Sequence, residues 1–198
     1  MGNILDYRTI TFFDVETTHL DPTLGEIIQI AIVTEGRDSQ LTEWSTKIKP
    51  LLKPGTYSKR ALEINGYNER DWKDAPSLAD VADTIVDKLR WGPIVAHNAS
   101  FDIAFVESCL ERYSSWHKGS RTDFNDEIFR LGYPVIDTVA LAWLLMPTER
   151  QNLNALREHL DLSQDGAHEA VKDVYDCRAV FWHCVESTLD ARANWPAG

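Results

Sequence analysis

The chain has 198 residues, of which 43% are apolar, with seven tryptophans and seven phenylalanines; this fills one packed core, is short for two, and excludes disordered and fibrous classes. A formal net charge of −11 excludes a broad nonspecific grip on nucleic acid, which draws on phosphate neutralisation by Lys and Arg, yet it leaves open a local cleft whose bound cations invert the field. The longest apolar runs fall short of a membrane span and the start Met1-Gly2-Asn3-Ile4-Leu5-Asp6 has no secretory pattern, so a cytoplasmic protein without a membrane partner is expected.

Strands come first. Residues 9–14 form an apolar β-rich run, residues 26–33 a second, and residues 41–48 a third that alternates imperfectly; the short turns between them predict an antiparallel meander. Pro50, Pro54 and Gly55 end it, and a short helix is predicted within residues 58–68, closing at Asn65-Gly66. Helix and strand then alternate. Ser77 caps a helix with Leu78, Val81, Ala82, Ile85, Val86 and Leu89 on one face, stopped at Gly92-Pro93. Residues 94–97 read as a short buried strand ending in His97, a structural histidine, and residues 101–113 as a helix. Residues 114–133 read as a long surface connection. Residues 135–136 make a last small strand, followed by helices at 138–145, 152–160 and from near 168 to 191. The fold class is α/β: a central five-stranded mixed sheet, three antiparallel strands first, flanked by helices in one domain spanning 1–198 with its core at about 8–191. The cysteines Cys109, Cys177 and Cys184 are odd in number and sit among apolar neighbours, as buried free thiols do.

Four acids carry the chemistry. Asp14 and Glu16 lie two apart at the end of the first strand, so they face the same way. Two like charges side by side are costly unless a cation or a substrate proton needs both. Asp102 lies just past the strand at 94–97, and chemistry gathers at the carboxyl ends of adjacent strands. Asp173 lies early in the last helix with His168 five residues before it, a spacing that within one helix separates the side chains by roughly 140°. The two converge only if His168 sits in the loop or in a fraying first turn, which Asp165-Gly166-Ala167 favours.

The segments Phe13-Asp14-Val15-Glu16-Thr17-Thr18, His97-Asn98-Ala99-Ser100-Phe101-Asp102 and His168-Glu169-Ala170-Val171-Lys172-Asp173 resemble, in order and spacing, the three motifs of the DEDDh-type 3′–5′ exonucleases. Proofreading subunits, ribonuclease T and oligoribonuclease are members. The resemblance implies a ribonuclease H-like fold and hydrolysis of phosphodiester bonds from nucleic-acid 3′ ends, in DNA and possibly RNA, with release of nucleoside 5′-monophosphates. It implies two Mg²⁺ or Mn²⁺ ions, whose oxygen-rich ligands suit such hard cations. Asp14 is assigned as the bridging ligand, Glu16 and Asp173 to the ion that positions water, Asp102 to the ion near the leaving 3′ oxygen, and His168 as the general base. By the same resemblance Leu20 and Ile64 clasp the terminal base, Phe101 borders the site, and Thr17 and Thr18 contact the terminal sugar or phosphate. Where the family often has Thr-Thr-Gly-Leu, this chain has Thr17-Thr18-His19-Leu20, so His19 is a specificity candidate or a plain loop residue. Trp72, Trp91 and Trp116 stack bases or simply pack. Relatives include monomers and dimers, so a homodimer and association with a polymerase both stay open. The rival from another class is a nucleic-acid-binding or scaffold domain of the same fold that makes no cut. A broken carboxylate set would favour it, and none is broken. A ribonuclease H-like endonuclease shares the acids but gives no reason for the His168–Asp173 pair.

Overall fold

The computed structural model describes residues 8–113 and 131–193. Strands β1 (Thr9–Thr17), β2 (Ile27–Gly36) and β3 (Leu41–Lys47) form the antiparallel meander. Helices α1 (Lys59–Ile64), α2 (Glu69–Trp72) and α3 (Leu78–Leu89) lead to β4 (Ile94–Ala96), which adds in parallel to the free edge of β1. After α4 (Ala99–Tyr113), β5 (Val135–Asp137) adds in parallel to β4, and α5 (Thr138–Leu145), α6 (Leu153–His159) and α7 (Ala170–Ala193) complete the order. The sheet runs β3-β2-β1-β4-β5. This is the expected five-stranded mixed sheet of a ribonuclease H-like α/β fold.

β1 lies centrally and is covered on both faces, which is why it reads as a near-continuous apolar run. Its two-residue period sorts the side chains. Phe13 and Val15 join α3 and α4 residues such as Ile85, Leu89, Phe105 and Cys109 in one core. Ile10 and Phe12 join Val174, Cys177 and Phe181 of α7 in the other. The Phe12 and Phe181 rings meet edge to face at 5.4 Å, and full burial of a side chain such as Phe12 is worth about 1.5–3 kcal/mol. Asp14 and Glu16 continue the Ile10–Phe12 row, so alternation aims both at the face that α7 covers.

The structure differs from the sequence reading at three helices. The last helix starts at Ala170 rather than near His168, because His168 adopts a left-handed backbone, φ 69°, two residues after Gly166 at φ 80°. α4 begins two residues earlier than its apolar pattern. α2 has four residues, too few for periodicity to reveal; the Asn68 side chain accepts from Asp71 N–H, and Trp72 is anchored by Nε1 donating to Ile28 O at 2.8 Å. Trp72 therefore packs. The surface connection over most of 114–133, with Trp116, lies outside the described residues. All three cysteines are buried and free.

Candidate active site

β4 stops at Ala96, level with Phe13, while β1 runs on to Thr17. Thr11 N–H still finds backbone on that side, donating to Pro93 O at 2.9 Å. Val15 N–H, beyond the end of β4, donates instead to Asp102 Oδ1 at 3.1 Å. That bond seats Asp102, in the first turn of α4, against the strand that carries Asp14 and Glu16. The turn entering α4 is held by Asn98, left-handed at φ 67°, whose N–H donates to Asp137 Oδ1 at 3.0 Å; the same oxygen accepts from Val139 N–H at 2.9 Å.

From the opposite face α7 supplies Asp173. Its Oδ1 accepts from His168 N–H at 3.3 Å and from Arg157 Nη2 at 2.5 Å. The left-handed turn thus lifts His168 out of the helix and folds it back over the acid five residues later. Ligand atoms of Glu16, His168 and Asp173 lie within 4.8 Å of one another, the arrangement of a candidate metal site. Asp14, Glu16, Asp102, His168 and Asp173 all line one cleft of about 590 Å³, with His97, Phe101, Gln151 and Asn152 on its walls.

Glu16, Asp102 and Asp173 are buried. Burial, reinforced by the charge of Asp173 and opposed by Arg157, pushes the Asp14 carboxyl up to about 8. Burial and then the charges of Asp14, Asp173 and Asp102 push Glu16 up to about 10. Asp102 is raised well above its ordinary value by burial and by Asp14, against the pull of the Val15 N–H. Asp173 is also raised by burial, with Arg157 and then His168 drawing it down. Such a cluster holds protons until a cation replaces them. The donor set, carboxylate oxygens with one imidazole and no thiolate, fits a hard divalent ion.

The other predicted residues are distributed differently. Phe101 borders the cleft while its ring lies 4.8 Å from that of Phe105. Thr17, Thr18, His19, Leu20 and Ile64 do not line it. Thr17 Oγ1 donates to His19 O at 2.8 Å; Thr18 Oγ1 donates to Thr56 O and accepts from Glu26 N–H, each at 2.9 Å. Asn65 Nδ2 donates to Thr17 O, and Ser58 N–H to Thr18 O, so α1 is laced to the end of β1. Leu20 at 78% and Ile64 at 48% exposure stand out into solvent beside that seam. His19 Nδ1 accepts from Asp21 N–H at 2.9 Å, which leaves its ring proton on Nε2. His97 is structural: Nδ1 bonds Thr138 Oγ1 at 2.9 Å, and the ring lies against the backbone of Gln151. Trp91 is exposed at the end of α3.

Sequence reasoning passed over Arg157 and Asp137. The signal for Asp137 was its place before Thr138 at a helix start. The signal for Arg157 was Asp176, which shares a helix face with Asp173 and needs a counter-charge.

Residues 11–181 match the exonuclease family RNase T. The chain belongs to this exonuclease family. It is 29% identical over 183 residues to DNA polymerase III PolC-type of Oceanobacillus iheyensis, covering 92% of this chain and 12% of that protein. With the Thermotoga petrophila PolC-type polymerase it shares 31% identity over 180 residues, 90% of this chain and 12% of that one. The chain thus spans about an eighth of the length of these curated relatives. Among solved structures, E. coli Exonuclease I in complex with a dT13 oligonucleotide aligns with a TM-score of 0.70 at 18% identity, over 94% of this chain and 42% of that one. Cell-death related nuclease 4 aligns with a TM-score of 0.66 at 18% identity, over 91% and 64%. Among the described residues no helix is long and apolar enough to cross a membrane.

Proposed function

We propose that this single domain is a metal-dependent 3′–5′ exonuclease that hydrolyses the terminal phosphodiester of nucleic-acid 3′ ends, single-stranded or frayed DNA first and RNA second. The convergence of Asp14, Glu16, Asp102, Asp173 and His168 in one cleft, in a member of an exonuclease family, carries this reading. The four carboxylates hold two Mg²⁺ or Mn²⁺ ions; such ions, when bound, supply neutralisation of phosphoryl charge and a more acidic water. His168 takes the proton of the attacking water, which adds to phosphorus as the 3′ oxygen of the preceding nucleotide leaves and is protonated from solvent. The product is a nucleoside 5′-monophosphate.

His168 is exposed at the cleft mouth, where it exchanges its proton with solvent between turnovers. Glu16 and Asp173, both buried, lie within reach of its ring and give it a polar setting. Phe101 forms an apolar wall. Leu20 and Ile64, held by the Thr17–Thr18 seam, clasp the terminal base, and His19 offers Nε2–H as a donor to its phosphate. The oligonucleotide in the Exonuclease I complex and the polymerase relatives support DNA as substrate and association with a polymerase; a homodimer is the other arrangement. Three buried free thiols suit a reducing, cytoplasmic setting.

The test is digestion of matched 5′-labelled DNA and RNA oligonucleotides, single- and double-stranded, with Mg²⁺ and with Mn²⁺. Stepwise shortening from the 3′ end, stalling at a blocked 3′ terminus, is the expected result. Internal cuts would turn the assignment to an endonuclease. Binding of Mn²⁺ and oligonucleotide without any cleavage would turn it to a non-catalytic binding or scaffold domain.

A further inference from the structure

Arg157 is 1% exposed, the largest fully buried side chain among the described residues. Every one of its nitrogens is committed. Nη2 donates to Asp173 Oδ1 at 2.5 Å, Nε to Asp176 Oδ2 at 2.6 Å, and Nη1 to Asn154 Oδ1 at 2.6 Å. Lys172 Nζ also bonds the Asp176 carboxylate from the solvent side. A guanidinium beside a cation site is a paradox on charge alone, since it repels what the site binds. Asp176 eases it. That carboxylate, one helical turn beyond Asp173, shares Arg157 and is itself paired with Lys172, so the charge of the arginine is divided between two acids while its fork orients Asp173.

We propose that Arg157 is a positioning residue for Asp173, turning the carboxylate so that Oδ1 is spent on the protein and Oδ2 alone is offered to a divalent cation. The inference rests on the metal-dependent reading above. Oδ1 already carries two donors, Arg157 Nη2 and His168 N–H, which fills its lone-pair sites. The same atom therefore sets the orientation of the ligand and the distance of His168 from it. α6 contributes no ligand; besides Leu153 on the cleft wall, it acts on the site through this fork.

The experiment is Mn²⁺ binding by electron paramagnetic resonance of the free ion, with melting temperature recorded in parallel, for the wild type, Arg157→Met and Arg157→Lys. Loss of a residue that orients a ligand weakens metal affinity about 10–100-fold. Arg157→Met is expected in that range, and Arg157→Lys, with a single nitrogen for two carboxylates, between it and the wild type. At saturating Mn²⁺ the folded variants should regain most of their turnover, a split that loss of packing does not produce. If Arg157 were only a local charge, its removal would tighten Mn²⁺ binding; tighter or unchanged affinity in a folded variant overturns the inference, whatever happens to the melting temperature. Should Arg157→Met fail to fold, Arg157→Lys decides. Wild-type protein that binds no Mn²⁺ would instead overturn the metal reading itself.

Discussion

The two sides of the cleft hold their acids by different means. On the strand side, Asp14 and Glu16 are fixed by the pleat of β1 and Asp102 by one backbone N–H, and the cost of that rigidity is desolvation, which drives all three toward the protonated form. On the helix side, Asp173 is held by a buried ionic fork and a loop N–H, and His168 stays exposed on a left-handed residue. A sheet places carboxylates precisely without providing counter-charge. A helix pair provides counter-charge and leaves the imidazole in contact with solvent.

The strand side breaks most completely. Asp14→Asn keeps the size of the side chain and removes the central anion, and its loss of turnover is expected to exceed the ~10⁴-fold that removal of a general base reaches. A single-turnover assay in Mn²⁺ reads it, and retention of even a tenth of the activity would remove Asp14 from the centre of the site. On the helix side, His168→Ala is expected to lower turnover by roughly 10²–10⁴-fold with Mn²⁺ and oligonucleotide affinity largely intact. Equal losses in binding and turnover would instead make His168 chiefly a ligand.

The contrast also has a pH signature. Asp14 and Glu16 bind protons more tightly in the folded than in the unfolded chain, so in metal-free protein they add stability at low pH and lose it as pH rises toward their folded values near 8 and 10. The melting temperature of metal-free protein should therefore fall between about pH 5 and pH 9, Mn²⁺ should abolish most of that slope, and Asp14→Asn should flatten it. A melting temperature that rises across this window in metal-free protein would show that the strand side is not where protons are held. The smallest effect belongs to the seam behind the strand acids. Thr18→Val strips a fully buried hydroxyl of two hydrogen bonds and should cost about 1–3 kcal/mol in denaturant unfolding, with the metal affinity nearly unchanged.

Much of this was legible in the chain. The five strands and the long helices announce themselves through period and caps, and Asp14 with Glu16 through the two-residue alternation that also sorts Phe12 from Phe13. Helical geometry required His168 to sit in a loop or a fraying first turn, and the left-handed backbone at that residue is the part the sequence did not reveal. What sequence did not yield was contact between distant segments. Arg157 looks like any surface arginine on a short amphipathic helix, because nothing local says that α6 docks its basic residue onto Asp173 and Asp176. The commitment of the Thr17 and Thr18 hydroxyls to loop carbonyls was hidden for the same reason, and α2 was too short to leave a pattern.

The three-residue β4 has a consequence for how such a chain can change. Because Asp102 accepts the Val15 N–H where β4 has ended, a side chain stands in as a rung of the ladder. An insertion that extended β4 by one pairing residue would give Val15 a backbone partner and release the carboxylate from its post. The length of the sheet's short inner strand and the seat of the acid at position 102 are therefore coupled, and a change in the first shifts the second.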